Sequence, residues 1–147
     1  MEAFAEQVDA EGVRLDGIVH LVGGWRGGGG EGLGLGLATV GGSLDRLVKK
    51  EKLSAADREA TLKRITGTTD RAKLADCDLV IEAATENEEL KVKILRDLCA
   101  TLSPRTLVAT NTSSISITRL AASTDRRDRF IGMHFFNPVP VMALLEL

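Results

Sequence analysis

The stretch 78–110, DLVIEAATENEELKVKILRDLCATLSPRTLVAT, decides the fold. Its first seven residues, DLVIEAA, form a near-continuous apolar run bounded by polar residues, which is how a parallel strand buried on both faces reads. Over 87–102 the apolar residues recur at helical spacing. Leu90, Ile94, Leu95, Leu98 and Leu102 line one face, and the lysines with Glu88 and Glu89 line the other. Pro104 stops that helix, and 106–110 reads as the next strand. A strand, a helix of more than ten residues and another strand imply a crossover connection and a parallel sheet covered by helices.

The same alternation continues outward. Downstream, 117–123 reads as a helix and 129–134 as a strand ended by Pro138 and Pro140, and 141–147 opens a further element. Upstream, GIVHLV at 17–22 is the first strand candidate, followed by the glycine-rich junction GGWRGGGGEGLGLG at 23–36. From Leu37 the pattern turns helical through Val40, Leu44, Leu47 and Val48, with Gly41 and Gly42 weakening it by about 1 kcal/mol each. Ser54 offers an N-cap, with Asp57 three residues on, for a helix reaching Lys63. A short strand is expected at 64–67 and a helical turn at 72–76. The expected class is α/β, a doubly wound parallel sheet in one domain over 1–147.

Composition narrows the function. Of 147 residues 44% are apolar and 27% charged, enough for one hydrophobic core and too apolar for disorder. A net charge of −2 provides no basic field for nucleic acid, and no apolar run approaches the ~18 residues of a membrane span. The acidic N-terminus lacks the apolar stretch of a secretory signal. Cys77 and Cys99 read as reduced thiols of a cytoplasmic protein, and His20 and His134 are too far apart for a metal site.

Ligands of open parallel sheets bind beyond the carboxyl ends of the strands. Here those ends lead into Thr85-Glu86-Asn87, Asn111-Thr112-Ser113-Ser114, and His134 with Asn137. Hydroxyls, amides, a carboxylate and an imidazole thus converge on one edge. The sharpest pair is His134 with Glu146, since a carboxylate on one imidazole nitrogen fixes the tautomer and leaves the other to move a proton. Spacing alone leaves open whether they touch, and a lone His is more often structural.

The segments DLVIEAATENEELKVKILRDL, ATNTSSISITRLA and RFIGMHFFNPVPVMALLEL resemble the NAD-binding domain of 3-hydroxyacyl-CoA dehydrogenases, in particular the bacterial 3-hydroxybutyryl-CoA branch. The likeness runs from about residue 36 to 147. It implies a Rossmann-like domain, NAD as cofactor and a 3-hydroxyacyl-CoA substrate. By position it makes His134 the general base, Glu146 its orienting carboxylate and Ser113 the hydroxyl at the substrate oxygen. Glu86, Lys91 and Asn111, together with Ser113, fall where that family meets NAD, and Ser43 and Lys50 where it meets coenzyme A.

The chain also departs from that pattern. The family opens with a strand, GxGxxG, a helix and a second strand with an acidic end, whereas here the first βαβ unit is altered. A literal GxGxxG stands at Gly27, Gly29 and Gly32, and is the candidate cradle for a pyrophosphate. The segment VDAEGVRLDGIVHLVGGWRGG resembles short-chain dehydrogenases, so 23–36 reads as a fusion seam; the chain has no Tyr, hence no YxxxK pair of that family. The helical domain that completes the 3-hydroxyacyl-CoA dehydrogenases is absent from these 147 residues. A partial domain with little activity of its own is the leading expectation, and a non-catalytic chimeric scaffold the alternative. Apolar surface near Phe135, Phe136, Val139, Val141, Met142 and Leu144 implies a homo-oligomer.

Overall fold

The computed structural model describes residues 18–21, 30–137, 139, 142 and 144–147. They belong to two compact units, one of residues 1–23 with 70–147 and one of residues 24–69.

In the larger unit four short strands form a parallel sheet: β1 (Ile18–Leu21), β2 (Leu79–Glu82), β3 (Leu107–Thr110) and β4 (Phe130–Gly132). Their order is β1-β2-β3-β4, with Val80 opposite Val19 and Val108, and Ala109 opposite Ile131. The order runs one way, as one half of a doubly wound sheet does. This is the Rossmann-like α/β plan in incomplete form.

Every residue of β2 is buried because the two faces of the sheet are covered by different things. On one face Val80 and Val108 pack with Leu95, Leu98, Cys99 and Leu102 from α3 (Glu88–Cys99) and the loop after it, and with Leu120 from α4 (Ile117–Ala122). On the other, Leu79, Ile81 and Ala109 pack with Met133, Phe135 and Leu145. Strand periodicity of two sends alternate residues to these two clusters.

α3 starts where Asn87 accepts the Leu90 N–H, and α4 where Ser116 accepts that of Arg119. At the far end of α3 the buried Arg126 guanidinium donates at 2.7 Å to the carbonyl of Cys99, an acceptor that a helix end leaves unpaired, and at 2.9 Å to that of Ser103 in the loop beyond. Where β4 passes α4, a Cβ on Gly132 would lie 3.0 Å from the Ile117 side chain.

Three expectations are corrected within this unit. The strand expected at 129–134 is two elements: β4 stays in the parallel sheet, and β5 (His134–Phe135) turns away to pair antiparallel with β6 (Leu145–Glu146). The faces assigned to α3 are each wrong at one position, since Lys91 of the charged face is 1% exposed and Leu90 of the apolar face is 48% exposed. The helical turn at 72–76 is a 3-10 turn, Arg71–Leu74, capped by Asp70.

The smaller unit holds α1 (Gly30–Lys49) and α2 (Ala55–Lys63). Arg58 of α2 donates to Asp45 of α1 at 2.6 Å, and the expected Ser54 cap accepts the Asp57 N–H. α1 begins at Gly30, ahead of the Leu37 that hydrophobic spacing indicates. No strand forms at 64–67, where no neighbouring ladder is present among the described residues to take up its backbone groups. Gly32 lies in the first turn of α1, and Gly27 and Gly29 lie outside the described residues. Among the described residues no helix is long and apolar enough to cross a membrane.

Candidate active site

The carboxyl ends of β2, β3 and β4 lead into one cluster of polar side chains. Its base is a buried ion pair. Glu82, the last residue of β2, points to the α3 face, where Lys91 Nζ donates to its Oε2 at 2.6 Å. The Thr110 hydroxyl at the end of β3 donates to the same oxygen at 2.8 Å, and the Ala84 N–H donates to Oε1 at 2.7 Å. A buried carboxylate needs this many partners to be tolerated. Lys91, expected at the cofactor, is thus turned inward onto Glu82.

Above this base the loops are tied together. Both oxygens of Glu86 are engaged: Oε2 accepts from the Thr112 hydroxyl and Oε1 from the Ser113 N–H, each at 2.7 Å. Asn111 extends the β3 ladder, its N–H donating to the Glu82 carbonyl at 2.8 Å. Its side-chain Oδ1 accepts the Phe135 N–H at 2.8 Å, which fixes the amide flip and leaves Nδ2 as the donor end.

Ser113, His134 and Glu146 then form a line. Ser113 Oγ lies 3.0 Å from His134 Nε2, and His134 Nδ1 lies 3.2 Å from Glu146 Oε2. The imidazole is partly buried, its side chain 23% exposed, with the Phe136 ring 4.7 Å away between centroids. A carboxylate can only accept, so Nδ1 carries the proton toward Glu146; in the neutral ring Nε2 is then an acceptor, and Ser113 donates to it. The backbone imposes the His134–Glu146 pairing, because the two residues are directly opposite in the β5–β6 ladder.

Of the expected residues, the structure brings Ser113, His134, Glu146, Glu86 and Asn111 together at the sheet's carboxyl edge. Ser43 and Lys50 belong to the other unit. Ser43 Oγ donates to the Thr39 carbonyl at 3.0 Å and accepts from Arg46 at 2.9 Å, while Lys50 is exposed just past α1. Sequence reading missed Glu82 and Thr110, and placed Thr112 at this edge without a role. The signal for Glu82 was present: a carboxylate inside an otherwise apolar strand requires a buried partner. The cysteines lie apart from this edge. Burial pushes both thiols above the ordinary value, with Asp78 and Asp76 adding to the effect at Cys77.

A parallel α/β sheet with a histidine–carboxylate pair at its carboxyl edge fits a nucleotide-dependent dehydrogenase domain. The chain belongs to the 3-hydroxyacyl-CoA dehydrogenase family: the model of that family's NAD-binding domain matches residues 30–147. It is 55% identical over 112 residues to the 3-hydroxybutyryl-CoA dehydrogenase of Bradyrhizobium diazoefficiens, covering 76% of this chain and 38% of that protein. It is 49% identical over 104 residues to the 3-hydroxyadipyl-CoA dehydrogenase of Escherichia coli, covering 71% of this chain and 22% of that one. The crystal structure of (S)-3-hydroxybutyryl-CoA dehydrogenase from Ralstonia eutropha superposes with a TM-score of 0.81 at 50% identity, over 87% of this chain and 52% of that chain. The chain therefore spans well under half the length of these two curated relatives. The cofactor of the family is NAD.

Proposed function

We propose that this chain is part of an NAD-dependent dehydrogenase that oxidises a 3-hydroxyacyl-CoA to the 3-oxoacyl-CoA. The Ser113–His134–Glu146 line carries the reading. His134 Nε2 is the acceptor for the 3-hydroxyl proton. Glu146 holds Nδ1–H and stabilises the imidazolium that results, and Ser113 donates to the substrate oxygen. NAD, when bound, supplies the acceptor for the two electrons leaving C3. The Asn111 amide donor and the Ser113 hydroxyl at the strand ends suit the nicotinamide end of that cofactor, with Glu86 beside them. Lys91 enters through its support of Glu82.

Ser43 and Lys50 are proposed as contacts of the coenzyme A portion, for which a cation near the phosphates is the appropriate chemistry. The family match beginning at residue 30 supports a seam within 23–36. We propose weak NAD binding and low turnover for the chain alone, a cytoplasmic location, and a homo-oligomer. Exposed Met142 and Leu144 support self-association, whereas Phe135 packs against the sheet.

The test is a hybrid in which residues 30–147 replace the matching segment of a complete relative, assayed for NADH formation from 3-hydroxybutyryl-CoA. The hybrid is expected to turn over, and His134→Gln to lower kcat by roughly 10²–10⁴ with little change in NAD affinity. Normal turnover in His134→Gln, or a folded hybrid that binds NAD and does nothing, overturns the reading. The latter result would favour a non-catalytic scaffold.

A further inference from the structure

We propose that Glu86 is a positioning residue whose carboxylate clamps the 112–113 turn and thereby aims the Ser113 hydroxyl at His134. The catalytic meaning of this clamp rests on the dehydrogenase reading; the clamp itself does not.

The Ser113 side chain is exposed, and nothing in its own rotamer preferences would hold Oγ 3.0 Å from His134 Nε2. What sets it is the backbone beneath it. Glu86 accepts the Ser113 N–H and the neighbouring Thr112 hydroxyl, each at 2.7 Å, so the two bonds form a fork on consecutive residues. Hydrogen bonds to an ionised acceptor are short and roughly twice as strong as neutral ones. Thr112 Oγ1 passes the constraint on by accepting the Ile115 N–H at 3.1 Å, which orders the turn leading into α4.

Glu86 is itself held at both sides. Ala84, two residues before it, is tied to Glu82, and Asn87, the next residue, caps α3. The carboxylate therefore connects the end of β2 and the start of α3 to the end of β3. Both oxygens already serve the protein, so the function of Glu86 is not confined to meeting the cofactor.

The clamp has a chemical consequence. A serine, a histidine and a carboxylate in line are also the parts of an acyl-transfer triad, in one form of which the nucleophile's own N–H is an oxyanion donor. Here that N–H is taken by a carboxylate, which would repel an oxyanion. The same contact that aims Ser113 at His134 thus disfavours its use as a nucleophile toward a thioester.

The test is nuclear magnetic resonance on the whole chain. His20 and His134 are its two histidines, so ¹⁵N-histidine labelling yields two ring systems, assigned with His20→Gln. At one fixed pH, Ser113→Ala should move the His134 Nε2 resonance. It should do so again in a Glu86→Gln background, where the amide still accepts from Ser113 N–H and donates to Thr112. In Glu86→Ala the Ser113→Ala change should have no effect on that resonance. Glu86→Asp, which keeps the charge but retracts it by about 1.5 Å, should behave like Ala and serves if the alanine variant does not fold. An undiminished effect of Ser113→Ala in either shortened variant, with native circular dichroism, overturns the proposal. So does the absence of any effect in the wild-type chain. None of these readings requires turnover, so an inactive hybrid would leave them intact.

Discussion

Replacing Lys91 by Met leaves the Glu82 carboxylate buried with no counter-charge. The pair is sealed from water, with side-chain exposures of 2% and 0%, and its 2.6 Å bond has no solvent substitute. Breaking such a pair from one side costs about 3–5 kcal/mol, against a total stability of roughly 5–15 kcal/mol for a typical domain. With a urea slope of about 2 kcal/mol/M, the midpoint should fall by roughly 2 M, read by far-ultraviolet circular dichroism. Glu82→Gln should cost a similar amount by stranding the ammonium. The double variant should recover most of the loss. The new amide at position 82 would accept the Ala84 N–H and donate to the Thr110 hydroxyl, and the methionine would fill the channel of the lysine stem. The expectation is thus a coupling of several kcal/mol in the double-mutant cycle. A loss below about 1 kcal/mol in Lys91→Met, or additive single losses, would refute the account of this pair as the support of the site.

Other expectations are smaller. Gly41 and Gly42 lie inside α1 with nothing within 4 Å of an added Cβ, so Gly41→Ala and Gly42→Ala should each stabilise the chain by about 0.4–1 kcal/mol in urea titrations. A loss of stability in both would mean that the helix is held differently. The hydrogen bond from Arg126, with its charge adding, keeps Asp125 below the ordinary 3.8. A depressed folded value stabilises above the unfolded pKa, and the benefit is lost as pH falls through the folded one. Asp125→Asn should therefore lower Tm by a constant margin from about pH 5 to 7, and the gap should close on acidification; a widening gap contradicts it. Because burial raises both thiols, Cys77 and Cys99 should react with Ellman's reagent more slowly than a free cysteine peptide at about pH 8, with half-buried Cys77 ahead of buried Cys99. Cys99 reacting at the peptide's rate would refute that order.

What was legible in the sequence followed from local periodicity. β2, α3 and β3 stand where an apolar run, a helical spacing and a proline place them, because each depends on residues close in the chain. Lys91 was misplaced for the complementary reason. Amphipathic spacing assigns charge to solvent, and the carboxylate that draws this lysine inward stands nine positions away on another element. The break at Met133 was marked in the sequence only by Gly132, and the partners on either side of it, β3 and β6, are set by tertiary pairing. Spacing left the His134–Glu146 contact open, and it is the ladder that closes it. The glycine-rich junction misled at α1, where hydrogen bonding carries the helix through positions whose propensity opposes it.

The two-residue ladder that joins His134 to Glu146 makes the dyad a matter of parity. Side chains alternate across a strand, so sliding β6 by a single residue would bring Leu145 or Leu147 opposite the imidazole and turn the carboxylate to the other face. Phe135 opposite Leu145 acts as the latch. Both pack on Leu79, Ile81, Ala109 and Met133, so a slipped ladder would lift an apolar pair off the sheet at the same moment that it uncoupled the histidine. Proper seating of the hydrophobic core and correct orientation of the imidazole are in this way one event.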